Sequence, residues 1–128
     1  MADIFHSHLT DTEIQHINQN LSKKINISDE QECHIWTGQR RNKGYGLHEL
    51  RFRGRKIKVT VHRLIYYIHY KCVNIPPHLH ISHLCHNKLC VRVEHLSLEP
   101  PNINNKRQIC KNEGQCTGHY GFANCILI

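Results

Sequence analysis

The sequence predicts a small α+β protein that is stabilised by zinc and carries a basic antiparallel β-ribbon and a loop-rich C-terminal part. Two groups of cysteines and histidines have the spacing of metal ligands, at residues 85–95 and 110–125. Apolar and cationic residues alternate between residues 50 and 59, which is typical of a half-exposed strand pair. With 128 residues, the chain has the length of one compact domain.

The net charge and the cysteine content indicate which class of partner and which cellular compartment to expect. Lys plus Arg number 17 and Asp plus Glu 10, and the resulting charge of +7 favours a polyanion. Nucleic acid is the first candidate and an anionic membrane surface the second. We expect no membrane insertion, because no run of about 18 apolar residues occurs. Residues 1–20 lack the apolar stretch of a secretory signal, so we expect an intracellular, thiol-reducing location, in the nucleus rather than the cytoplasm.

The N-terminal segment predicts a packing helix. Thr10 and Glu13 have the spacing of a capping box, in which each side chain bonds the backbone N–H of the other residue. Apolar residues follow at helical spacing, at Ile14, Ile17 and Leu21. Residues 26–32 read as a loop.

Residues 35–61 read as strands that form a ribbon with an apolar back and a cationic front. Leu50 and Phe52 alternate with Arg51 and Arg53, and the same alternation continues beyond Gly54. Cationic side chains on a twisted ribbon can follow a groove and meet phosphates and guanine edges, although a solvated charged face is the alternative. The candidate nucleic-acid-binding residues are Arg40, Arg41, Lys43, Arg51, Arg53, Arg55, Lys56 and Lys58.

Periodicity predicts the elements that follow. Apolar residues between 61 and 68 recur at helical spacing, and Pro76-Pro77 requires that helix to have ended. Residues 79–84 and 96–98 are short strand candidates. Pro100-Pro101 should break the chain, and Asn102 should cap a helix that runs to about Cys110. Three glycines after residue 113 predict an irregular end that needs a metal to hold it.

Counting ligands predicts two structural zinc sites. Cys110, Cys116, His119 and Cys125 form a complete tetrahedral set. The upstream group supplies only three ligands and needs a fourth, for which we favour Cys33. Its members are Cys85, Cys90 and His95.

Alternatives remain for the upstream group. His34 or His86 can replace one of the ligands, and a three-ligand catalytic zinc with a catalytic His95 is the other possibility. The seventh cysteine, Cys72, is left over and is predicted to be a buried thiol.

His83 and Asn104 form the candidate catalytic pair. His83 is two residues before Cys85 at a strand end, where a zinc-anchored backbone holds it rigidly. An imidazole can take a proton from water near neutral pH. The amide oxygen of Asn104 is a hard ligand suited to Mg²⁺, which would stabilise the oxygen that departs from a phosphodiester. The alternatives are a surface histidine and a helix-capping or solvated asparagine.

The run from Ser82 to Asn87, followed by Cys90, His95, Asn104 and the Cys-Cys-His-Cys tail, resembles the His-Cys box homing endonucleases. These belong to the ββα-metal, or His-Me finger, nucleases. The resemblance is dense from His83 to Cys125 and preserves spacing as well as residue type. Upstream of His83 the resemblance is weaker. It rests there on a cysteine before a Tyr-Gly turn, the basic strands and Val61-His62-Arg63.

The resemblance implies a ββα-metal nuclease core and specific catalytic roles. His83 would activate the attacking water and Asn104 would bind one divalent cation such as Mg²⁺. One zinc would be held by Cys33, Cys85, Cys90 and His95, and the other by Cys110, Cys116, His119 and Cys125. An arginine near the scissile phosphate would come from the ribbon, as Arg53 or Arg55.

The resemblance also implies the organisation of the chain and its partner. One endonuclease domain spans residues 1–128, with a helix and loop (1–32), DNA-contacting strands (33–60), a helix plus the ββα-metal core (61–109) and a second zinc lobe (110–128). Double-stranded DNA is the implied substrate, and a homodimer is the family's assembly. This chain departs in ending three residues after Cys125, without the long C-terminal tail by which family members can embrace a partner.

Two further functions stay open at this point. One is a zinc-containing DNA-binding module that derives from the nuclease fold and has lost its chemistry. The other is a zinc-dependent protein-interaction module. Retention of both His83 and Asn104 argues against the first, and the cationic ribbon argues against the second.

Overall fold

A computed structural model describes residues 4–27, 32–71, 74–119 and 121–126. Within these ranges the strands pair two by two into three antiparallel sheets. None of the helices there is long and apolar enough to cross a bilayer. In chain order the elements are α1 (Asp11–Ser22), β1 (Ile25–Ile27), β2 (His34–Trp36), β3 (Leu47–Phe52), β4 (Arg55–Thr60), α2 (Val61–His69), β5 (His80–His83), β6 (Leu96–Glu99) and α3 (Pro101–Glu113).

The N-terminal helix begins as its sequence predicts. Thr10 Oγ1 accepts from the backbone N–H of Glu13 at 3.1 Å, and the Glu13 carboxylate accepts from the N–H of Thr10 at 3.0 Å. The loop predicted for residues 26–32 is partly wrong, because Ile25–Ile27 forms β1 and pairs with β2. Residues 28–31 lie outside the described residues, so the rest of that prediction is not addressed.

The ribbon is a hairpin of β3 and β4 whose register separates cationic from apolar side chains. Arg51 lies opposite Lys56 and Glu49 opposite Lys58, so these four share the front face. The back carries Phe52 and Val59, which are 4% and 5% exposed. The predicted strand region 35–61 was too broad, because residues 37–46 form a loop between β2 and β3. Arg53 was wrongly placed in a strand, since it lies in the turn with a φ of 50°.

The core packs around Trp36, which is 1% exposed, and the apolar face of α2. Gly46 passes so close to this indole that a Cβ there would lie 2.7 Å from Trp36 Cδ1. Gly46 also accepts a hydrogen bond from the N–H of Val61 at 3.0 Å, which fixes the start of α2. The loop before β3 is therefore held against the core, and its neighbour Tyr45 is positioned with it.

Strands β5 and β6 and helix α3 form a ββα unit at the C-terminal half. His83 lies opposite Leu96 and His80 opposite Glu99. The prediction that Asn102 caps the helix is wrong, because Pro101 already occupies the first turn. Proline suits that position, since its missing N–H would have no partner inside the helix. The helix runs beyond Cys110 to Glu113 and ends at Gly114, with a φ of 68°.

Candidate metal centres and catalytic cleft

The first metal centre brings together four side chains from distant parts of the chain. The ligand atoms of Cys33, Cys85, Cys90 and His95 all lie within 4.8 Å of one another. Cys33 Sγ is 3.5 Å from Cys85 Sγ and 3.6 Å from His95 Nδ1. Tetrahedral zinc with three sulfurs and one nitrogen requires separations of roughly 3.5–3.8 Å, so this donor set fits zinc. His34 and His86, considered as replacements, are not members of the group.

The three thiols of this centre can all be deprotonated at the same time only when a cation neutralises their charges. Burial raises the pKa of Cys33 to about 11. The neighbouring Cys85 lowers the pKa of Cys90 to about 5, and Cys90 in turn raises the pKa of Cys85. Three adjacent negative charges in a buried site repel one another, and a divalent cation removes that conflict.

The backbone around this centre ties the N-terminal part to the ββα unit. Trp36 N–H donates to the carbonyl of Leu89 at 2.9 Å, and Val91 N–H donates to the carbonyl of His34 at 2.7 Å. The segment that carries Cys90 thus pairs with the free edge of β2, which follows directly after Cys33. The metal centre and this pairing together fix the position of the strand end that precedes Cys85.

The second metal centre organises the C-terminal lobe. The ligand atoms of Cys110, Cys116, His119 and Cys125 also lie within 4.8 Å of one another. His119 Nε2 is 3.6 Å from Cys110 Sγ and 3.4 Å from Cys125 Sγ, distances that fit tetrahedral zinc. The predicted leftover thiol, Cys72, lies outside the described residues.

His83 is held in one tautomer by the first metal centre. Its imidazole donates a hydrogen bond to the backbone carbonyl of Cys90, and Nε2 has no partner, so Nδ1 is the donor. The residue is 8% exposed, and this burial lowers its pKa to about 4. The ring is therefore neutral at pH 7, and its Nε2 is buried without a hydrogen-bond partner among the described residues.

Aromatic rings surround His83. Tyr45 stacks on it with ring centroids 5.8 Å apart, and His62 lies at 4.5 Å. Lys88 Nζ lies 5.2 Å from the centroid of the Tyr45 ring and donates to the carbonyl of Lys43 at 2.9 Å. The stack fixes the orientation of the imidazole ring and excludes water from one side of it.

Asn104 projects from α3 toward β5. Its Oδ1 accepts from Ser82 Oγ at 2.8 Å, and its Nδ2 is 3.5 Å from His80 Nδ1. Behind it, Arg107 and Glu99 form a fully buried ion pair in which Nη2 donates to Oε2 at 2.9 Å. Asn104 is thus hydrogen-bonded to β5, and Arg107 of the buried ion pair lies about one turn further along the same helix.

His83 and Asn104 line the same small cleft of about 60 Å³. Lys88 and Lys111 also line it, whereas Arg53 and Arg55 do not. The other lining residues are Tyr45, His86, Arg107 and Gln108. Because the charge of Arg107 is matched by Glu99, the two lysines give the cleft its positive charge.

Sequence reasoning missed Tyr45, His62, Lys88 and Lys111 as members of this region. His62 was predicted only as part of the helix over residues 61–68, yet the residue is 7% exposed and its ring packs on His83. Lys88 lies within the zinc loop, between two cysteine ligands, and that placement was the available signal. Tyr45 gave no periodic signal because it lies in a loop.

Comparison with known proteins agrees with this geometry. A family model described as the zinc-binding loop region of homing endonuclease matches residues 23–125. The chain belongs to this homing-endonuclease family. The match includes both metal centres and the two residues His83 and Asn104.

A phage protein is also similar to this member of the homing-endonuclease family. Protein 7.7 of Escherichia phage T7 is 35% identical over 81 residues, which is 63% of this chain. The aligned region spans 58% of that relative's length. Comparison with solved structures gave no match.

Proposed function

We propose that this chain is a divalent-cation-dependent DNA endonuclease that hydrolyses phosphodiester bonds in a sequence-selective manner. One observation carries the proposal: His83 lines a cleft with Asn104, and its Nε2 is unpartnered while the other ring nitrogen donates to Cys90. A general base needs a free lone pair on a fixed ring, and this arrangement supplies both.

In this mechanism His83 removes the proton from the attacking water. The Cys90 carbonyl holds the proton on Nδ1, so Nε2 is the acceptor, and the ring stack prevents the imidazole from turning away. Once protonated, the imidazolium keeps its hydrogen bond to that carbonyl, which favours the charged form.

Asn104 is the proposed cation ligand, because its side chain lines the cleft and a hard amide oxygen together with DNA phosphate oxygens suits Mg²⁺. A cation held there supplies Lewis-acid stabilisation of the departing oxygen. Lys88 and Lys111 are placed to contact the scissile phosphate. We propose them for this role in place of Arg53, which lies in the hairpin turn, and Arg55, the first residue of β4, because neither arginine lines the cleft.

The ribbon is the proposed DNA-binding surface. Arg51 and Lys58 lie on its front face, and among the described residues neither has a carboxylate partner within ion-pair distance. Lys56, directly opposite Arg51, is already paired with Glu49 at 2.7 Å, so Arg51 and Lys58 are the front-face cations left to contact phosphates. The loop before β3 adds Arg40, Arg41 and Lys43, which are exposed next to the cleft residue Tyr45.

Conversion of supercoiled plasmid with and without Mg²⁺ tests this function. Wild type would be compared with His83→Ala and Asn104→Ala, and with the control His78→Ala, whose exposed side chain lies in a turn. All proteins would first be checked for equal zinc content. We expect nicked or linear product from wild type and His78→Ala in Mg²⁺, and a loss of at least about 100-fold in rate for His83→Ala.

The other outcomes discriminate between functions. Linear product would indicate two cooperating active sites and hence a homodimer, whereas nicked product would indicate a monomer. DNA binding without scission by the zinc-loaded wild type would overturn the endonuclease proposal in favour of a non-catalytic DNA-binding module.

A further inference from the structure

A pocket of about 390 Å³ lies between α1 and the edge of β3 that faces away from β4. Its lining comes from the second half of α1, from the two lysines that follow this helix and from residues 48–51 of β3, with none from β4. Both faces of β3 take part, since His48 belongs to the back and Arg51 to the front. This α1–β3 pocket shares no lining residue with the catalytic cleft.

Contacts at both ends of α1 hold the two walls of the pocket together. Near the start of the helix, Arg53 in the hairpin turn binds both carboxylate oxygens of Glu13 at 3.0 Å. Beyond the other end, the carbonyl of Lys24 accepts from the backbone N–H of Thr37 at 2.7 Å and from its hydroxyl at 2.9 Å. The helix is therefore fixed alongside β3, and the pocket is a constant feature of the fold.

The pocket has more positive than negative charge. Lys23, Lys24 and Arg51 line it, and none of the three forms an ion pair with a carboxylate among the described residues. Glu49 is the one carboxylate among the described lining residues, and Lys56 holds it at 2.7 Å. A concave surface with unmatched cations attracts an anion.

The helix end explains part of this charge but not all of it. Cations after a helix stabilise it by themselves, because its last carbonyls carry partial negative charge. That explanation covers Lys23 and Lys24, which follow α1 directly. It does not cover Arg51, which comes from the neighbouring strand.

His48 is a second, independent observation that points to a ligand. This pocket residue is 5% exposed, and its Nδ1 is buried with no hydrogen-bond partner among the described residues. Its ring packs edge-on against Trp36, with centroids 5.5 Å apart, so the imidazole is fixed. Buried polar atoms are nearly always paired, and a phosphate oxygen is an acceptor for an imidazole N–H.

Arg51 connects the pocket with the front of the ribbon, the proposed DNA-binding surface. A DNA strand held on this front face runs next to the pocket, because Arg51 belongs to both. A backbone phosphate whose neighbours are already bound reaches the pocket at a high effective concentration. A free anion has no such advantage, so the placement favours a phosphate of the DNA backbone.

We propose that the α1–β3 pocket binds a DNA backbone phosphate through Lys23, Lys24 and Arg51, at a position away from the scissile bond. The inference rests on the proposed function and extends the DNA interface from the ribbon onto the end of α1. The pocket serves as an anchor that contributes affinity, whereas the chemistry belongs to the separate cleft.

Salt-dependent binding of a duplex tests the anchor. Affinity would be measured by fluorescence anisotropy without Mg²⁺, on zinc-loaded proteins and at several salt concentrations. Each phosphate contact adds about one to the slope of log affinity against log salt, so the double variant Lys23→Gln/Lys24→Gln should reduce the slope by about two. Lys71→Gln is the matched control, because this exposed lysine lines neither the pocket nor the cleft.

Neutral phosphate analogues locate the contact on the DNA. Methylphosphonates would replace one backbone phosphate at a time, and one replacement away from the scissile bond should weaken binding of wild type. The same replacement should have no further effect on Lys23→Gln/Lys24→Gln, because the contact is already lost. Independent, additive losses would overturn the proposal.

Nuclear magnetic resonance of the His48 ring distinguishes DNA from free phosphate. The duplex should shift these signals in wild type but not in Lys23→Gln/Lys24→Gln, and inorganic phosphate alone should leave them unchanged. Equal shifts with inorganic phosphate would overturn the assignment to DNA and indicate a site for a free anion.

Failure of the anchor and failure of the proposed function give different results. Cleavage by wild type, with an unchanged salt slope for Lys23→Gln/Lys24→Gln, would overturn the anchor and leave the endonuclease intact. Duplex binding without scission, with the slope reduced by about two in the double variant, would support the anchor and overturn the endonuclease.

Discussion

Arg107 and Glu99 face each other across the junction of β6 and α3 as an ion pair that is almost completely withdrawn from solvent. Nη2 of Arg107 donates to Oε2 of Glu99 at 2.9 Å and also to the carbonyl of Ala123 at 2.8 Å. Nη1 donates to Cys125 Sγ at 3.4 Å. One guanidinium therefore connects the ββα unit to the second metal centre.

Removal of the carboxylate should be strongly destabilising. Burial raises the pKa of Glu99, but the hydrogen bonds from Arg107, Ser82 and Ser97 outweigh it and hold the pKa below its ordinary value. Glu99→Gln leaves a buried guanidinium charge unmatched, and we expect a loss of about 3–5 kcal/mol in the free energy of unfolding. Chemical denaturation at saturating zinc measures it.

Glu49→Gln is the control for that experiment. Glu49 pairs with Lys56 at 2.7 Å on the exposed front of the ribbon, and exposed pairs contribute only about 0–1 kcal/mol. Similar losses from the two substitutions would show that the Glu99 pair has no special role.

The C-terminal lobe should depend on its metal more than any other part. Between residues 114 and 126, His119 is the one described residue that is buried, so apolar packing contributes little there. We expect Cys116→Ser to reduce bound zinc from two ions to one per chain and to speed amide exchange in this lobe, while β5 and β6 stay protected. Zinc analysis and hydrogen exchange measure both.

Cys72→Ser provides the comparison, since both groups of described residues have four ligands without Cys72, and this variant should retain two zinc ions. Global unfolding of Cys116→Ser would contradict the idea that the second centre organises the lobe alone.

The sequence was most informative where chemistry restricts the choice of partner. Counting tetrahedral ligands showed that the upstream group needs a fourth member and favoured Cys33, 52 residues from Cys85, with His34 and His86 as alternatives that the structure does not include in the group. The order of two short strands and a helix was predicted from the sequence, and the family resemblance implied that they form a ββα core. These predictions depend on residue type and spacing, which are printed in the sequence.

Features set by packing were beyond the sequence. β1 has three residues and an Ile27 that is 64% exposed, so it shows no burial period. Arg53 fits the strand alternation, yet the turn at Gly54 takes it out of the sheet. The stacking of Tyr45 on His83 joins a loop to the end of β5, and their proximity depends on the whole fold.

The close packing of Gly46 against the Trp36 indole can be tested by substituting the glycine. Gly46→Ala would place Cβ 2.7 Å from Trp36 Cδ1, inside van der Waals contact. We expect a loss of about 1–3 kcal/mol in stability, as for other overpacked cores. Because Tyr45 precedes this glycine, the cleavage rate should fall as well.

Gly38→Ala is an independent check, since its Cβ would lie 2.6 Å from Trp36 Cζ2 but far along the chain from Tyr45. It should lose stability to a similar extent with a smaller effect on cleavage. Unchanged melting of both variants would contradict the tight packing around the indole.

DNA binding should depend on salt through the front of the ribbon. Each cationic side chain that contacts a phosphate releases counterions, so Arg51→Ala and Lys58→Ala should each reduce the slope of log affinity against log salt by about one. Arg92→Ala is the control, because its guanidinium already donates to the Glu32 carbonyl and contacts Glu94. An unchanged slope for both ribbon variants would place the DNA elsewhere.

Arg53 gives a test between a catalytic and a structural role. Its guanidinium binds both carboxylate oxygens of Glu13 at 3.0 Å and donates to the carbonyl of His8 at 2.8 Å, which ties the hairpin turn to α1. If that is its whole function, Arg53→Ala and Glu13→Gln should lower thermal stability similarly and leave the cleavage rate of folded protein unchanged. A loss of cleavage in Arg53→Ala alone would restore the catalytic role expected from the family resemblance.

The pH dependence of stability offers a second view of this pair. The hydrogen bond from Arg53 lowers the pKa of Glu13 from 4.5 to about 2. A carboxylate with a depressed pKa in the folded state stabilises the protein above its unfolded pKa, and this contribution is lost as pH falls from about 4.5 toward 2. The stability difference between wild type and Glu13→Gln should therefore be constant near neutral pH and shrink below pH 4.5. Acid release of zinc affects both proteins alike, so it cancels in this difference. A difference that grows on acidification would contradict the pairing.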